Sequence, residues 1–494
     1  MIASLQFGLY DLVVLFFYLV LVTWIGLYFS KTESGNDFFL AGKTVPWYFL
    51  LLSLIATETS SLTFLHVPGI SYKTNICFLQ LAFGYIIGRT LVAYVLLPIY
   101  FSKGYFSIYE LVGEKFGNSA KKTISGIFLI TRVLGDGVRL FATSIPITFL
   151  LKGFFGDGYS DLQLGVSSLV LITVSTTIYT VYGGFRSVVA TDVIQFIVYV
   201  LGGVFVVWFL SKQIGATHVL SRAMENGKLE FYLGMKGNFL SSPYFFINGI
   251  ISGILLTIGS HGVDQMFVQR VLACKTILDA RLTMITSGVL VFLQFVLFLY
   301  IGLLLFIFYG ETNSISQEQV FSKFIVENLP SPLGGLMLAA ILASAMSTLS
   351  SSINSMSLSI LTDWSKINFS EETEIIAKSR NYSILWGIVL FFSALVPMFL
   401  VSGMESGLVE LGLKVASFTY GPLIGLFLML RFHKNITGNS NSVIASVLFS
   451  VIASYLSGSF GKFTVGNILL TGIISFVIMF NLLQGTWVRR NERN

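Results

Sequence analysis

Stretches of about twenty apolar residues recur along the whole chain, separated by short polar breaks. Each is long enough for a helix to cross the hydrocarbon core of a bilayer. The pattern predicts helices over residues 8–30, 46–70, 76–101, 121–151, 161–181, 188–211, 243–269, 280–309, 333–361, 380–401, 405–431, 441–459 and 463–485, about thirteen in all. Four of these spans are not uniformly apolar. The second carries a polar knot, Ser53 to Phe64, with Glu58 inside it. The fourth holds Arg132, Asp136 and Arg139, the seventh holds Gly259-Ser260-His261-Gly262, and the ninth is a run of hydroxyls from Ser344 to Ser355. A charge at mid-depth in a membrane costs at least about 2.5 kcal/mol, so it is paired or functional. That argues against a pure anchor or scaffold.

Composition agrees with the span pattern. Residues of the apolar class make up 54% of the 494 and charged residues only 11%, against roughly 25% charged in soluble domains. The formal charge of +6 does not point to nucleic acid, because the basic residues lie scattered over short loops. Eighteen Lys and Arg fall in the loops on the side of the C-terminus and eight on the other. That bias predicts an outside N-terminus and a cytoplasmic C-terminus. Cys77 and Cys274 are expected on opposite faces, and the four histidines form no cluster. No GxxxxGK[ST] phosphate loop is present, which excludes the usual ATP-driven pump.

Ser344, Ser347, Thr348 and Ser351 share one helical face, and Ser347, Ser350, Ser351 and Asn354 an overlapping one. Hydroxyls in that number suit a small hard cation, although small residues also line close helix contacts. Unwinding at the knot around Glu58 would free backbone carbonyls for the same ion, which a membrane tolerates only where they line a cavity. Glu58 is either a solute group or the partner of Arg132 or Arg139. Asp136 can neutralise Arg132 (i, i+4) or Arg139 (i, i+3), leaving one cation for an anionic solute. Arg89 and Asp264 are expected near span ends, snorkelling or capping, and Glu410–Lys414 as a structural pair. Glycines around His261 suggest a second broken helix, with His261 as a candidate solute contact.

Five segments resemble the sodium/solute symporter family, whose members carry sugars, proline, pantothenate or sialic acid with sodium. They are Ala41-Gly42-Lys43 with Pro46-Trp47 leading into Ser53-Leu54-Ile55-Ala56; Tyr182-Gly183-Gly184-Phe185 with Thr191-Asp192-Val193-Ile194-Gln195; Asp264-Gln265 with Val268-Gln269-Arg270; Ala343 to Asn354; and Tyr420-Gly421-Pro422-Leu423. The resemblance implies an all-α membrane protein with a leucine-transporter-like inverted repeat of five plus five helices. One extra helix precedes that core and two follow it. The whole chain is then one domain, with the extra helix and loop at 1–45, the core at 46–431 and the trailing helices at 432–494. It also implies a sodium site of the Ala56, Thr59 and Ser344 carbonyls and the Ser347 and Thr348 hydroxyls. A second site, present in some members, maps to Asp192, Ser347, Ser350 and Ser351. The run Ser60-Ser61-Leu62-Thr63-Phe64 looks closest to sialic acid carriers. Two departures stand against that substrate: Glu58 replaces a neutral residue, and Gly135 stands where the carboxylate-binding arginine is expected, with Arg132 or Arg139 a turn away.

The expected function is sodium-coupled symport of a small polar organic solute by alternating access. Candidate solute contacts are Glu58, Ser60, Thr63, Arg132, Arg139 and His261. A proton-coupled carrier is the nearest alternative. A sensor or channel-like protein would need an appended domain, and an enzyme would need a catalytic cluster, neither of which is visible. Sodium ions, the solute and the lipid bilayer are the expected partners, without nucleic acid. The protein is expected in a plasma membrane, bacterial inner membrane by type, as a monomer.

Overall fold

A computed structural model describes residues 8–30, 35–155, 158–215, 219–231, 246–310, 315–317, 319–365, 372–400, 408–433, 439–460 and 464–491, and every regular element among them is helical. In chain order the main helices are α1 (Leu9–Tyr28), α2 (Trp47–Glu58), α3 (Ser61–Lys73), α4 (Leu79–Phe101), the short α5 (Tyr109–Phe116), α6 (Asn118–Phe155), α7 (Asp161–Ile214), α8 (Phe246–Val263), α9 (Gln265–Leu272), α10 (Ile277–Tyr309), α11 (Leu333–Ser359), α12 (Glu372–Leu400), α13 (Leu408–Phe432), α14 (Ser440–Phe460) and α15 (Val465–Asn491). Among the described residues, ten helices are long and apolar enough to cross a membrane, or eleven when the bent pair formed by α2 and α3 is one span. The expected count of thirteen also takes α6 and both arms of α7 as crossings.

α7 has 54 residues, about 80 Å of helix at 1.5 Å per residue, far more than one bilayer of roughly 30 Å. It turns at Gly184, where φ is +58° and ψ −158°. That region of backbone space is essentially closed to residues with a Cβ. Any Cβ there would also lie 2.9 Å from the Phe38 carbonyl. The turn falls between the expected spans 161–181 and 188–211.

α11 is the central helix: 89% of its membrane window is buried inside the protein. It packs on α7, α1, α6 and α2. Asp11 of α1 ties that helix to the start of α11 by accepting a hydrogen bond from the Gly335 amide at 2.6 Å. α4 and α8 approach closely because glycines face each other; a Cβ on Gly84 would lie 2.4 Å from the Ile250 carbonyl. Such small-residue contacts are how helices associate without a hydrophobic driving force in lipid. α13, α14 and α15 pack together at the C-terminal end of the chain.

Two helical spans are broken. α2 and α3 meet at 61°, with Thr59 and Ser60 extended between them. α8 and α9 are separated by Asp264 alone, also extended. The second break lies after the glycine cluster around His261, where the sequence suggested it, because Asp264 caps α9 by accepting from the Met266 amide at 2.9 Å.

Gly184→Ala is expected to destabilise the protein by about 1–3 kcal/mol, read as a lower Tm in detergent. An unchanged Tm means that the α7 turn tolerates an ordinary residue.

Candidate functional site

The break in α2 leaves its last four carbonyls, Ile55 to Glu58, without helical partners. Each finds one. The Thr59 amide donates to Ile55 O and the Ser60 amide to Glu58 O, both at 3.0 Å. Ser347 Oγ donates to Ala56 O at 2.9 Å and Thr348 Oγ1 to Thr57 O at 3.1 Å, both from α11. The same two hydroxyls also reach the Ser344 carbonyl, at 3.1 and 3.2 Å. Five hard oxygens therefore converge between α2 and α11: three carbonyls and two hydroxyls. That donor set suits a small cation that takes oxygen ligands. Of the residues expected here, Ala56, Ser344, Ser347 and Thr348 meet. Thr59 is expected through its carbonyl; its hydroxyl meets Ile55 O, Gln294 and Tyr199. Thr57 is the member that sequence reasoning missed; its place one residue before the charged Glu58 hid it.

Asp192 is fully buried on α7. Its Oδ2 accepts from Ser53 Oγ at 2.5 Å, Thr57 Oγ1 at 3.5 Å and Arg270 Nη2 at 3.1 Å. Arg270 also donates to Ser351, which shares a hydrogen bond with Thr57 at 2.9 Å. Ser350 donates to the Ser347 carbonyl at 3.1 Å. The remaining carboxylate oxygen, Oδ1, is buried without a partner. Arg186 is the nearest base to Asp192 along the chain. Arg186 instead reaches Asp37 at 3.4 Å and Thr44 at 2.9 Å, and Arg270 of α9 takes the Asp192 position.

Three arginines and three acids account for the charge near the broken helices. Glu58 pairs with Arg89 of α4, neither Arg132 nor Arg139. Arg89 is fully buried rather than snorkelling, and it also donates to Ser287 at 2.6 Å and Thr257 at 3.4 Å. Arg132 pairs with Asp264 at 2.5 Å and Asp136 at 3.6 Å. Arg139 pairs with Asp136 at 3.2 Å. Tyr420 donates to Asp264 at 2.8 Å, and Ser352 donates to Asp136. Asp264 thus caps a helix, as its position suggested, and also neutralises Arg132. The side chain of Glu410 lies outside the described residues.

A cavity of about 130 Å³ opens between these elements. Its wall holds Glu58, Ser60, Thr63, His66, Arg139, Ser260 and Tyr420, with Phe78, Phe267 and Phe295 among the apolar groups. Arg132 and His261 stand behind the wall. His261 is fully buried, stacks on Phe267 with ring centres 4.6 Å apart, and contacts Ser260 Oγ through Nδ1 at 2.8 Å. Its Nε2 is 3.7 Å from Glu58 Oε2.

A family model described as "Sodium:solute symporter family" matches residues 38–447. The chain is 28% identical over 460 residues to a sodium/sialic acid symporter of Proteus mirabilis, covering 91% of this chain and 89% of that protein. It is 26% identical to the human sodium/iodide cotransporter, covering 83% of this chain and 63% of that longer one. A solved structure of a sodium-coupled sialic acid symporter in a substrate-bound outward-open state superposes with a TM-score of 0.85, at 24% identity over 97% of this chain and 98% of that one.

Glu58→Gln strands a buried guanidinium, which cannot lose its proton. Arg89→Gln strands a carboxylate that the cavity can hydrate. Breaking a buried pair from one side costs about 3–5 kcal/mol, and the larger loss is expected for Glu58→Gln. Detergent melts of the two variants check this; equal Tm losses would show that the pair sits in one uniform environment.

Proposed function

The chain belongs to the sodium:solute symporter family, and on that premise we propose how its residues divide the work of transport. The fold is leucine-transporter-like, the protein is a multi-pass plasma-membrane carrier, and its activity is sodium-coupled symport of a small solute by alternating access. Sodium binds between the break in α2 and the face of α11, held by the carbonyls of Ala56, Thr57 and Ser344 and the hydroxyls of Ser347 and Thr348. Thr59, just past the break, contributes its carbonyl. The observation carrying this reading is the pair of α11 hydroxyls aimed at two α2 carbonyls.

The solute occupies the cavity beside that ion, against Glu58, Ser60, Thr63 and Arg139. Arg132 and His261 act from behind the wall, Arg132 by fixing Asp264 and His261 by orienting Ser260. The two broken spans begin the two halves of a five-plus-five repeat within a core of 46–431. Thirteen crossings would place the N-terminus outside and the C-terminus in the cytoplasm, in a bacterial inner membrane, with the monomer as transport unit.

Sodium joins α2 to α11 and shapes the wall that the solute meets, so the two bindings are linked. Ser347→Ala combined with Thr348→Ala removes two of the oxygen ligands and is expected to weaken sodium about tenfold or more, about 1.4 kcal/mol or more of binding free energy. Apparent solute affinity should fall with it. Sodium dependence of uptake that is unchanged in this variant rules the site out.

The unpartnered Oδ1 of Asp192 supports a second sodium there, with Ser347, Ser350 and Ser351. Arg270 on Oδ2 is its competitor, as a cation already in place. Reconstituted flux with paired sodium and solute isotopes decides between them. A ratio of two sodium ions per solute falling to one in Asp192→Asn is expected; a ratio of one, unchanged by that substitution, leaves Asp192 as the structural partner of Arg270.

A further inference from the structure

The cavity wall carries two charged side chains besides the titratable His66: Glu58 and Arg139. They have opposite signs. Each is anchored from behind by a buried counter-charge, Arg89 for Glu58 and Asp136 for Arg139. Each also keeps part of its bonding capacity on the cavity side. The contacts to Glu58 from Arg89 and His261 both fall on Oε2, which leaves Oε1 without a partner among the described residues. Arg139 uses Nη1 on Asp136, which leaves Nη2 and Nε without one. Glu58 and Arg139 side chains are 17% and 26% exposed, whereas Arg89, Arg132, Asp136 and Asp264 are sealed. The accessible acceptor and the accessible donors are therefore those of two unlike charges on one small cavity.

From this we propose that the transported solute is a zwitterion, with a carboxylate received by Arg139 and an ammonium group received by Glu58. The rest of the wall joins apolar and aromatic groups, Phe78, Phe267 and Phe295, to the hydroxyls of Ser60, Thr63 and Ser260, and its apolar part receives the body between or beside the two charges. An α-amino acid with an apolar side chain has this chemistry. The inference rests on placing the solute in this cavity, as above.

The reasoning is one of satisfaction. A solute that closes the cavity removes water from both faces. A carboxylate planted on Arg139 without an ammonium group leaves Glu58 Oε1 desolvated and unpaired. An amine without a carboxylate leaves the Arg139 fork unpaired. An unmet buried polar group is what makes a site reject an analogue lacking one hydrogen-bonding group far more strongly than one lacking a methylene. The sialic acid and iodide carriers compared above take anions. In this chain Glu58, on the wall of the cavity, supplies what an anion site lacks.

The test uses purified full-length protein in sodium and compares three series by thermal shift and by competition: the apolar α-amino acids, the amines obtained by removing their carboxylate, and the acids obtained by removing their amino group. At least one amino acid is expected to bind about tenfold or more tighter than both of its singly charged analogues. Arg139→Gln should abolish the advantage over the amine. Glu58→Gln should abolish the advantage over the acid, and the double variant Glu58→Gln with Arg89→Gln does the same without stranding the guanidinium if the single variant fails to insert. A deaminated acid that binds as tightly as its amino acid overturns the proposal, as does the absence of any sodium-dependent shift from the amino acids. Those results leave sodium symport standing if the acids or other solutes still bind in a sodium-dependent way. Loss of sodium dependence for every probe strikes the sodium-site reading instead.

Discussion

The structure depends on a short piece of backbone that no helix can satisfy. At Thr59 and Ser60 the second span stops being helical in the interior of a membrane protein. Lipid offers nothing to the freed carbonyls, and an unmet polar group there costs several kcal/mol. Neighbouring helices must supply donors. Two local amides meet Ile55 and Glu58, while Ser347 and Thr348 meet Ala56 and Thr57. The hydroxyl run of α11, the burial of that helix and its place against α2 all follow from this need. A cation among the same oxygens satisfies them more strongly than two hydroxyls do. On the proposed reading, the break is therefore both the cost and the sodium site.

A second constraint is charge neutrality at depth. Glu58–Arg89, Arg132–Asp264 and Arg139–Asp136 leave no net charge around the cavity. Two of the pairs join different parts of the molecule, α2 to α4 and α6 to the α8–α9 break, and the third lies within α6. The charges thereby fix how the two broken spans sit relative to the surrounding helices. Glu58 and Arg139 are the members of these pairs that line the cavity and stay partly exposed, so on the proposed reading selection of the solute falls to them rather than to the pairs behind.

Much of the architecture was readable from span length alone. All the expected spans coincide with helices, and the polar knot around Glu58 marked the first break. The hydroxyl spacing on α11 identified Ser344, Ser347 and Thr348 as one face, which is the face that meets α2. What could not be read was which charges pair across helices. Arg89 falls midway along the span 76–101 yet reads as reaching a span end, and Arg270 lies just past an expected span; nothing in one dimension shows that each is sealed against a carboxylate more than thirty residues away. The ends of α8 and α9 were displaced for a related reason. Glycines suggested a break near His261, but the capping carboxylate of Asp264 determines where the helix restarts, and a cap is a single residue among several eligible ones.

With sodium and solute placed as proposed, their coupling follows from how little separates their ligands. Ala56 and Thr57 give carbonyls toward α11, Glu58 gives its carboxylate to the cavity and to Arg89, and Ser60 lines the cavity wall. These residues lie within five positions of one another, on either side of one unwound peptide. Moving the carbonyls to meet an ion necessarily re-aims Glu58 and Ser60. A ligand can shift a conformational equilibrium only through its differential affinity for the two states. Here both ligands act on the same few peptides, so the state favoured by sodium is the state whose cavity is shaped for the solute. Helix α11 is buried along nearly its whole length, and makes a rigid reference against which the broken span can move. The physical basis for symport is thus a shared hinge: neither ligand can be accommodated there without altering the surface offered to the other.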